Sequence, residues 1–221
     1  MTADLALAID VGGTTIKGEL VDASGAVLAA RAAQTPRGAQ ARDAVTEVGC
    51  ELLAGVTGGA VVGAGVVVPG LVAAATGVAT YSANIGWREL ELVESLGTEW
   101  GLPVRIGNDV ASGGVAEHRT GAGRGVADMV FIPIGTGIAA AVVSGGHLLT
   151  GHRGETAELG HVAVRPGVRC ACGADGCLEA VASASAIARR YAELGARPIE
   201  GALQVADRLD HDDVARRVWG D

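Results

Sequence analysis

The sequence predicts an α/β protein made of two related lobes, residues 1–119 and residues 120–221. Composition supports this class, because the chain is rich in Gly, Ala and Val and has only one Phe, two Tyr and three Trp. Small and β-branched side chains are typical of buried parallel strands. A repeat is the second observation: an apolar strand, a glycine–threonine turn and another strand occur at residues 9–21 and again at 132–143.

The first lobe opens with a predicted three-stranded meander over residues 5–9, 16–21 and 27–32. Its first turn, Gly12-Gly13-Thr14, could bring backbone N–H groups and a hydroxyl close to an anion. A plain tight hairpin explains the same residues equally well, and the turn is neither a Walker loop nor a dinucleotide fingerprint. The turn alone therefore leaves phosphate binding open.

Helices and strands alternate after the meander. Residues 39–54 have the apolar spacing of a helix, in which Cys50 is expected to be a small buried side chain. A strand is predicted at 61–68, a helix at 89–96 and another strand at 103–106.

Asn108 and Asp109 come at the end of that last strand, where a helix running to about Arg119 is predicted to begin. Ligands of α/β proteins bind at the carboxyl ends of the strands. Asp109 could be an ordinary helix N-cap, or it could present a carboxylate base to a substrate hydroxyl. The pair is therefore a candidate catalytic site.

The second lobe follows a glycine-rich linker at residues 120–127. Its turn, Gly135-Thr136-Gly137, occupies the place that Gly12-Gly13-Thr14 has in the first lobe. Two such turns at equivalent positions predict a pair of hairpins that hold phosphates from both lobes. Residues 186–221 are predicted to form charged helices.

A dense cysteine motif, Cys170-x-Cys172-x₄-Cys177, follows His161 and contains three of the four cysteines. Three thiolates and one imidazole are the ligand set of a closed, structural zinc site. The sequence therefore predicts a zinc loop in the second lobe.

Two carboxylates, Glu158 and Glu179, flank this loop. They could be surface acids beside a structural metal. Alternatively, they could accept hydrogen bonds from a ligand rich in hydroxyl groups, while the metal fixes the direction of the remaining N–H of His161. The loop alone does not decide between these explanations.

The formal net charge of −8 at pH 7 disfavours binding to nucleic acid or to an anionic membrane. The first ten residues lack the basic region of a signal peptide. Thiols arranged for a metal rather than for disulfides are typical of a reducing compartment. The sequence therefore predicts a soluble, cytoplasmic protein without a nucleic-acid or membrane partner.

Together these residues resemble the ROK family of repressors and sugar kinases, within the actin-like, hexokinase-like superfamily that has a ribonuclease H-like fold. The motifs are Asp10-x-Gly12-Gly13-Thr14-x-x-Lys17, Val68-Pro69-Gly70, Asn84-x-x-Trp87, Asn108-Asp109, Gly135-Thr136-Gly137-Ile138, Glu158-x-Gly160-His161 and Cys170-x-Cys172-Gly173-x-x-Gly176-Cys177-Leu178-Glu179. They cover residues 5 to about 185, and the cysteine motif is highly specific.

The resemblance implies ATP-dependent phosphorylation of a hexose at its 6-hydroxyl, most often glucose, with Asp109 as the general base. The residues implied to hold the sugar are Asn84, Asn108, Asp109, Glu158, His161 and Glu179. Those implied to hold the ATP phosphates are Gly12, Gly13, Thr14, Lys17, Gly135, Thr136 and Gly137, with Asp10 near Mg²⁺. The zinc held by His161, Cys170, Cys172 and Cys177 would be structural.

The resemblance also admits an N-acetylhexosamine or fructose kinase, a sugar-binding fragment without catalysis, and a sugar-sensing repressor. A repressor needs a DNA-binding helix-turn-helix before the first strand, and only four residues precede Leu5. Members of the family often form homodimers, so a dimer is an implied assembly.

The chain departs from the family pattern in three ways. Members carry more glycine after the second turn, in the pattern GTGIGxG, where this chain has Ala139, Ala140 and Ala141, and Ala157 replaces a glycine before Glu158. Members also continue beyond the length of this chain. The resemblance therefore predicts an incomplete second lobe whose sheet has an unpaired edge.

Overall fold

The computed structural model describes residues 3–152, 156–195, 197, 199 and 201–220. The chain divides into two compact units, Met1–Ala116 with Thr150–Glu155 and Glu117–Leu149 with Thr156–Asp221. The predicted lobe boundary between residues 119 and 120 stays a prediction, because the helix that contains it contributes to both units. None of the described helices is long and apolar enough to cross a membrane.

The chain up to Thr120 forms strands and helices in alternation. In chain order they are β1 (Ala3–Val11), β2 (Thr15–Asp22), β3 (Val27–Gln34), α1 (Gln40–Ala54), β4 (Gly59–Val68), β5 (Leu71–Ala73), β6 (Val78–Ser82), β7 (Trp87–Glu91), α2 (Leu92–Trp100), β8 (Val104–Asn108) and α3 (Asp109–Thr120).

Five of these strands form the main sheet of the first unit, in the order β3-β2-β1-β4-β8. β2 pairs antiparallel with β1 and β3, which confirms the predicted meander, whereas β4 pairs parallel with β1 and β8. The register places Asp10 opposite Lys17, and Val68 opposite Asn108. The ends of β1, β4 and β8 therefore meet at one edge of the sheet.

Helices α1 and α2 pack on one face of this sheet, and alternate strand residues point into the interface. The largest fully buried side chains of these strands include Leu7, Val11, Ile16, Val66 and Val68. This core holds the strands in register and so fixes the positions of the residues at their ends.

The expectation that Cys50 is buried is wrong, because this side chain is exposed. Its neighbour Gly49 takes the inward position on α1, where a β-carbon would collide with the indole of Trp100. The Trp100 indole also donates its N–H to the Thr46 carbonyl at 3.1 Å. A glycine, rather than the cysteine, thus admits the large ring into the α1–α2 contact.

The helix predicted at residues 89–96 begins later than expected. Strand β7 occupies the first part of this range and pairs antiparallel with β6, so that α2 starts only at Leu92. This pairing places the Arg88 guanidinium 4.6 Å from the centre of the Tyr81 ring. Cross-strand contacts here outweigh the local helix propensity of Glu and Leu.

The second unit contains its own antiparallel meander. After α3 the chain forms β9 (Met129–Phe131), β10 (Ala141–Ser144), β11 (His147–Leu148), a 3₁₀ helix (Leu159–His161), α4 (Leu178–Ala182), α5 (Ala184–Glu193), α6 (Ala202–Ala206) and α7 (Asp213–Gly220). The sheet order β11-β10-β9 repeats the connection order of β3-β2-β1. The mixed α/β class of both units is the one that the sequence predicts.

The apolar strand predicted before the second glycine turn is irregular. Regular pairing of β9 ends at Phe131, and an isolated bridge joins Ile134 to Ile138. Pro133 has no N–H to donate, which interrupts the hydrogen-bond ladder between these points.

Three helices close the described part of the second unit, as the sequence predicts. Their buried side chains are Tyr191, Val205, Ala215 and Val218. Tyr191 also donates its hydroxyl to the Asp212 carboxylate at 2.5 Å, so this small cluster has a polar as well as an apolar contact.

The two meanders differ in how far their first strands are covered. Ile9 of β1 is 2% exposed, whereas Ile132, at the equivalent position after β9, is 43% exposed. The same holds for Val11 and Ile134, which are 0% and 64% exposed. The isoleucines at the equivalent positions 9 and 132 should therefore contribute very differently to stability.

We expect Ile9→Ala to lower the free energy of unfolding by about 2–5 kcal/mol, because it removes a buried side chain and leaves a cavity. The matched variant Ile132→Ala should change it by roughly 0.5 kcal/mol or less, since that side chain is already in solvent. Urea titration followed by tryptophan fluorescence measures both. Equal losses from the two variants would show that the exposed meander is covered in solution.

Candidate functional site

The first glycine turn joins β1 to β2 as the sequence predicts. Gly12 donates its N–H to the Thr15 carbonyl at 2.9 Å, and the Thr35 hydroxyl donates to the Gly12 carbonyl at 2.7 Å. A β-carbon at Gly12 would lie 2.9 Å from the Thr15 carbonyl oxygen, closer than side chains tolerate. The turn is therefore tight and tied to the meander, with Gly13 and Thr14 exposed at its tip.

Asp10 and Lys17 lie opposite each other on β1 and β2, beside this turn. Both line a groove of about 600 Å³, which Gly107 of β8 and Ser112 of α3 also line. This volume is within the usual range for small-molecule sites. Asp10, which the resemblance implies near Mg²⁺, and Lys17, which it implies near phosphate, therefore line the same groove as Gly107. Gly107 lies at the end of β8 that leads to Asp109.

Asn108 fixes the end of β8 with three hydrogen bonds. Its amide donates to the Gly70 carbonyl at 3.0 Å and to Asp109 Oδ1 at 3.1 Å, and its Oδ1 accepts the N–H of Ala111 at 2.8 Å. Asn108 is thus the residue that caps α3. Asp109 Oδ1 also accepts the Val110 N–H at 2.9 Å, while no described residue donates to its Oδ2.

Burial raises the pKa of Asp109 above that of an ordinary aspartate, and the Asp10 carboxylate raises it further, although the hydrogen bond from Val110 opposes both. A raised pKa makes the carboxylate a stronger base at neutral pH. Asp109 therefore combines one anchored oxygen, one oxygen without a hydrogen-bond partner among the described residues, and increased basicity.

Asn84 lies in the turn between β6 and β7, next to the first glycine turn. A β-carbon at Gly13 would be 3.5 Å from the Asn84 Cβ. The structure thus brings Asn84 beside the first glycine turn of its own unit; the contact with a sugar that the resemblance implies stays a prediction.

The second glycine turn closes through a hydrogen bond from the Gly135 N–H to the Gly137 carbonyl at 2.9 Å. Gly135 and Thr136 are exposed. Ala141, which replaces a family glycine, and its neighbour Ala140 are buried. Their methyl groups therefore pack inward and leave the tip of the turn open.

The structure brings together the four residues that the spacing predicts as metal ligands. The ligand atoms of His161, Cys170, Cys172 and Cys177 all lie within 4.8 Å of one another. Cys172 Sγ is 3.7 Å from Cys177 Sγ, and Cys170 Sγ is 3.9 Å from His161 Nδ1. Atoms about 2.3 Å from a tetrahedral zinc ion are roughly 3.8 Å apart, so the arrangement fits zinc.

The chemistry of the donor set also fits a cation. Burial, together with the Cys170 and Cys172 thiols, raises the pKa of Cys177 to about 12, so these sulfurs repel a second negative charge. A divalent metal removes this repulsion and displaces the protons. Metal affinity should therefore fall as the pH falls.

Glu158 precedes the 3₁₀ helix that ends at His161, and the His161 N–H donates to the Glu158 carbonyl at 3.0 Å. The Glu158 side chain is exposed. The residue before it, Ala157, has a φ of 65°, in the left-handed region that disfavours a β-carbon. The glycine that family members carry at this position would relieve that strain.

We expect Ala157→Gly to raise the free energy of unfolding by about 1 kcal/mol, because the left-handed backbone costs an L-residue roughly this amount. Thermal unfolding with zinc present would measure the change. Ala157→Ser is the matched control, since it retains the β-carbon and should give no gain. A loss of stability in the glycine variant would mean that this backbone is not strained in solution.

Glu179 has a contact that sequence reasoning did not anticipate. Its Oε2 accepts the N–H of Ile138, directly after the second turn, at 2.9 Å. The two residues are 41 positions apart, so no local spacing signals this contact. One oxygen of a residue implied to hold the sugar therefore supports the second glycine turn.

Each unit thus contains part of the set of residues that the resemblance implies to bind sugar, nucleotide or metal. The first contains Asp10, Gly12, Gly13, Thr14, Lys17, Asn84, Asn108 and Asp109, and the second contains Gly135, Thr136, Gly137, Glu158, His161, Cys170, Cys172, Cys177 and Glu179. Ser185 and Gly160, which touch the second turn or its flank, were not predicted as supports of that turn.

The α/β fold, the paired glycine–threonine turns and the strand-end aspartate define a hexokinase-like protein. The family model of the ROK family matches residues 6–219, and the chain belongs to that family. A crystal structure of a ROK family glucokinase from Streptomyces griseus, in complex with glucose and AMPPNP, aligns with 97% of this chain and 74% of its own, at 30% identity and a TM-score of 0.80. The likeness confirms the predicted fold class.

Two curated relatives match similar shares of the chain. The glucokinase of Halalkalibacterium halodurans is 36% identical over 188 residues, which are 82% of this chain and 57% of the relative. The N-acetylmannosamine kinase of Escherichia coli O157:H7 is 36% identical over 189 residues, which are 82% of this chain and 62% of the relative. The chain thus spans about three-fifths of the length of these relatives.

Proposed function

We propose that the protein is an ATP-dependent hexose kinase that phosphorylates the 6-hydroxyl of glucose. The observation that carries this proposal is Asp109, whose Oδ2 has no partner among the described residues and whose pKa is raised by burial. It lies at the end of the strand that lines the groove of Asp10 and Lys17. The similarity to glucokinases from two organisms supports glucose as the sugar.

Asp109 would take the proton from the 6-hydroxyl as the phosphoryl group arrives. Transfer of a phosphoryl group passes through a loose transition state, so the protein contributes mainly positioning and charge stabilisation. Asn108 supports this role, because its amide holds Asp109 Oδ1 at 3.1 Å and directs the other oxygen away from that bond. A base positioned in this way contributes about 10²–10⁴-fold to the rate.

The glycine turns would bind the phosphates of ATP through backbone N–H groups and the hydroxyls of Thr14 and Thr136. Lys17 would add a positive charge to the first turn. Mg²⁺, held near Asp10, would neutralise charge on the phosphates when it is bound. The exposure of both turn tips supports this role.

The second unit would hold hydroxyl groups of the sugar through Glu158, His161 and Glu179. Zinc at the Cys₃His cluster would be structural, since four protein ligands leave no open position. Its role would be to fix the His161 ring so that the other ring nitrogen points in one direction. Thiolate ligation of this kind favours a reducing compartment such as the cytoplasm.

A panel of hexoses tests the proposal, with ATP and Mg²⁺ and with ADP release as the readout. We expect glucose to give the highest kcat/KM among glucose, mannose, fructose, N-acetylglucosamine and N-acetylmannosamine. A higher value for N-acetylmannosamine would reassign the substrate. Glucose binding by calorimetry without sugar-dependent ADP release would instead identify a sugar-binding protein without catalysis.

A further inference from the structure

The second glycine turn has little support of its own. Its internal contacts are the Gly135 to Gly137 hydrogen bond and the isolated bridge between Ile134 and Ile138. The first turn, in contrast, lies between two strands that pair continuously from Val11 and Ile16 to Leu5 and Asp22. Neighbouring segments must therefore hold the second turn in its binding conformation.

The start of α5 provides one side of this support. Ala184 donates its N–H to the Gly135 carbonyl at 2.8 Å, and the Ser185 hydroxyl donates to the Thr136 carbonyl at 2.8 Å. Both acceptors are carbonyls of the turn. Because the C=O and the N–H of one trans peptide unit point in opposite directions, the N–H groups of Thr136 and Gly137 face away from α5, where an anion can reach them.

The cysteine loop provides the other side, and both of its ends touch Ile138. Glu179 Oε2 accepts the Ile138 N–H at 2.9 Å, and its carboxylate lies where a β-carbon at Gly137 would be. Gly160 packs against the Ile138 carbonyl so closely that a β-carbon there would collide with it. Ile138 is therefore held from its N–H side and from its carbonyl side.

Each of these two contacts is next to a predicted metal ligand. Gly160 directly precedes His161, and Glu179 is two residues after Cys177. Between them, Leu178 donates its N–H to the Val162 carbonyl at 2.9 Å, which ties the two ends of the loop together. A metal that joins His161 to Cys177 would thus fix the spacing of both contacts with Ile138.

We propose that the cysteine loop and the start of α5 form a clasp on residues 135–138, and that metal binding at the Cys₃His cluster sets the anion affinity of the second turn. Gly160, Glu179 and Ser185 are its positioning residues. The metal then acts on the nucleotide as well as on the sugar. The prediction for nucleotide affinity rests on the proposed function. The prediction for amide hydrogen exchange in the turn does not depend on it.

Amide hydrogen exchange tests the clasp on the full chain loaded with one equivalent of Zn²⁺ and again after chelation. We expect exchange in residues 134–140 to become at least about fivefold faster without metal, as hydrogen bonds to the turn are lost. Residues 11–16, the first turn, are the internal control and should not change. Unchanged exchange at 134–140, or equal acceleration of both turns, would overturn the proposal.

Variants of Ser185 test the clasp without altering the residues implied to hold the sugar, because Ser185 is not one of them. With Mg-AMPPNP as the probe, Ser185→Ala should raise the Kd at least about threefold and accelerate exchange at 134–140. Ser185→Thr retains the hydroxyl and should restore both values, with glucose binding and zinc content unchanged in both variants. Exchange in Ser185→Ala equal to that of the wild type would overturn the role of this residue.

Glu179 supplies a second, independent variant. Glu179→Gln keeps an oxygen that can accept the Ile138 N–H, whereas Glu179→Ala removes it. We expect fast exchange at 134–140 in the alanine variant and near-normal exchange in the glutamine variant, whatever either does to sugar affinity. Equal exchange in the two Glu179 variants would argue against the clasp.

If Mg-AMPPNP fails to bind even the zinc-loaded wild type, the proposed kinase function is wrong, and the exchange result still tests the clasp.

Discussion

Asp109→Asn is expected to lower kcat by about 10²–10⁴-fold while changing the affinity for glucose only a few-fold. Asparagine has nearly the same shape and retains an oxygen for the N–H groups of Asn108 and Val110. It cannot accept the proton of the sugar hydroxyl. Steady-state kinetics and glucose calorimetry measure the two quantities separately, and an unchanged kcat would remove Asp109 from the mechanism.

The pH dependence gives the same prediction a second readout. Because burial raises the pKa of Asp109, the acid limb of kcat/KM should lie above the pH at which an ordinary aspartate titrates. The protonated form is favoured in the folded state, so its contribution to stability is present below the pKa of the unfolded chain and lost as the pH rises through the native value. At neutral pH Asp109→Asn should therefore be at least as stable as the wild type.

Asp128→Asn is the matched control for this substitution. Hydrogen bonds from the Ser144 hydroxyl and the Gly145 N–H lower the pKa of Asp128, so its charged form is the favoured one in the folded state. Its replacement should lower stability at neutral pH and leave kcat unchanged. If both Asp109→Asn and Asp128→Asn were more stable than the wild type, the burial of Asp109 would not explain the stability of its variant.

The sequence was most informative where chemistry and spacing act together over short distances. The Cys170-x-Cys172-x₄-Cys177 motif can close around one point only by tight turns, and Gly173 and Gly176 have the positive φ values that such turns need. The Asn108-Asp109 pair was placed correctly at a strand end because apolar runs and glycines mark that boundary clearly. Patterns of this kind depend on neighbouring residues, so contacts with distant parts of the chain do not change what they predict.

Long-range contacts explain the failures. Residues 89–91 are predicted to begin a helix, but they belong to β7, which pairs with β6. Cys50 is next to the residue that packs against Trp100, and nothing within α1 shows which of the neighbours faces that ring. The contact of Glu179 with Ile138 links segments 41 positions apart. None of these outcomes depends on local sequence, so propensity and spacing could not predict them.

Removing one ligand of the cysteine cluster is the second change with a large expected effect. Cys177 is fully buried and lies at the start of α4, so Cys177→Ser replaces a thiolate by a poorer ligand at a fixed position of the cluster. We expect bound zinc to fall from one per chain to well below one. The KM for glucose should rise by at least about tenfold, because the His161 ring loses its fixed orientation.

Cys50→Ser is the control that the chain itself offers, since Cys50 is exposed and outside the cluster. It should keep the zinc content, the KM and the thermal stability of the wild type. Zinc analysis, glucose titration and thermal unfolding on the same preparations distinguish loss of metal from a general effect of losing a thiol. A Cys177→Ser variant with full zinc content would show that the metal is held elsewhere. One with no zinc but an unchanged KM would show that the metal does not orient the sugar site, and the carboxylates beside it would then act without its help.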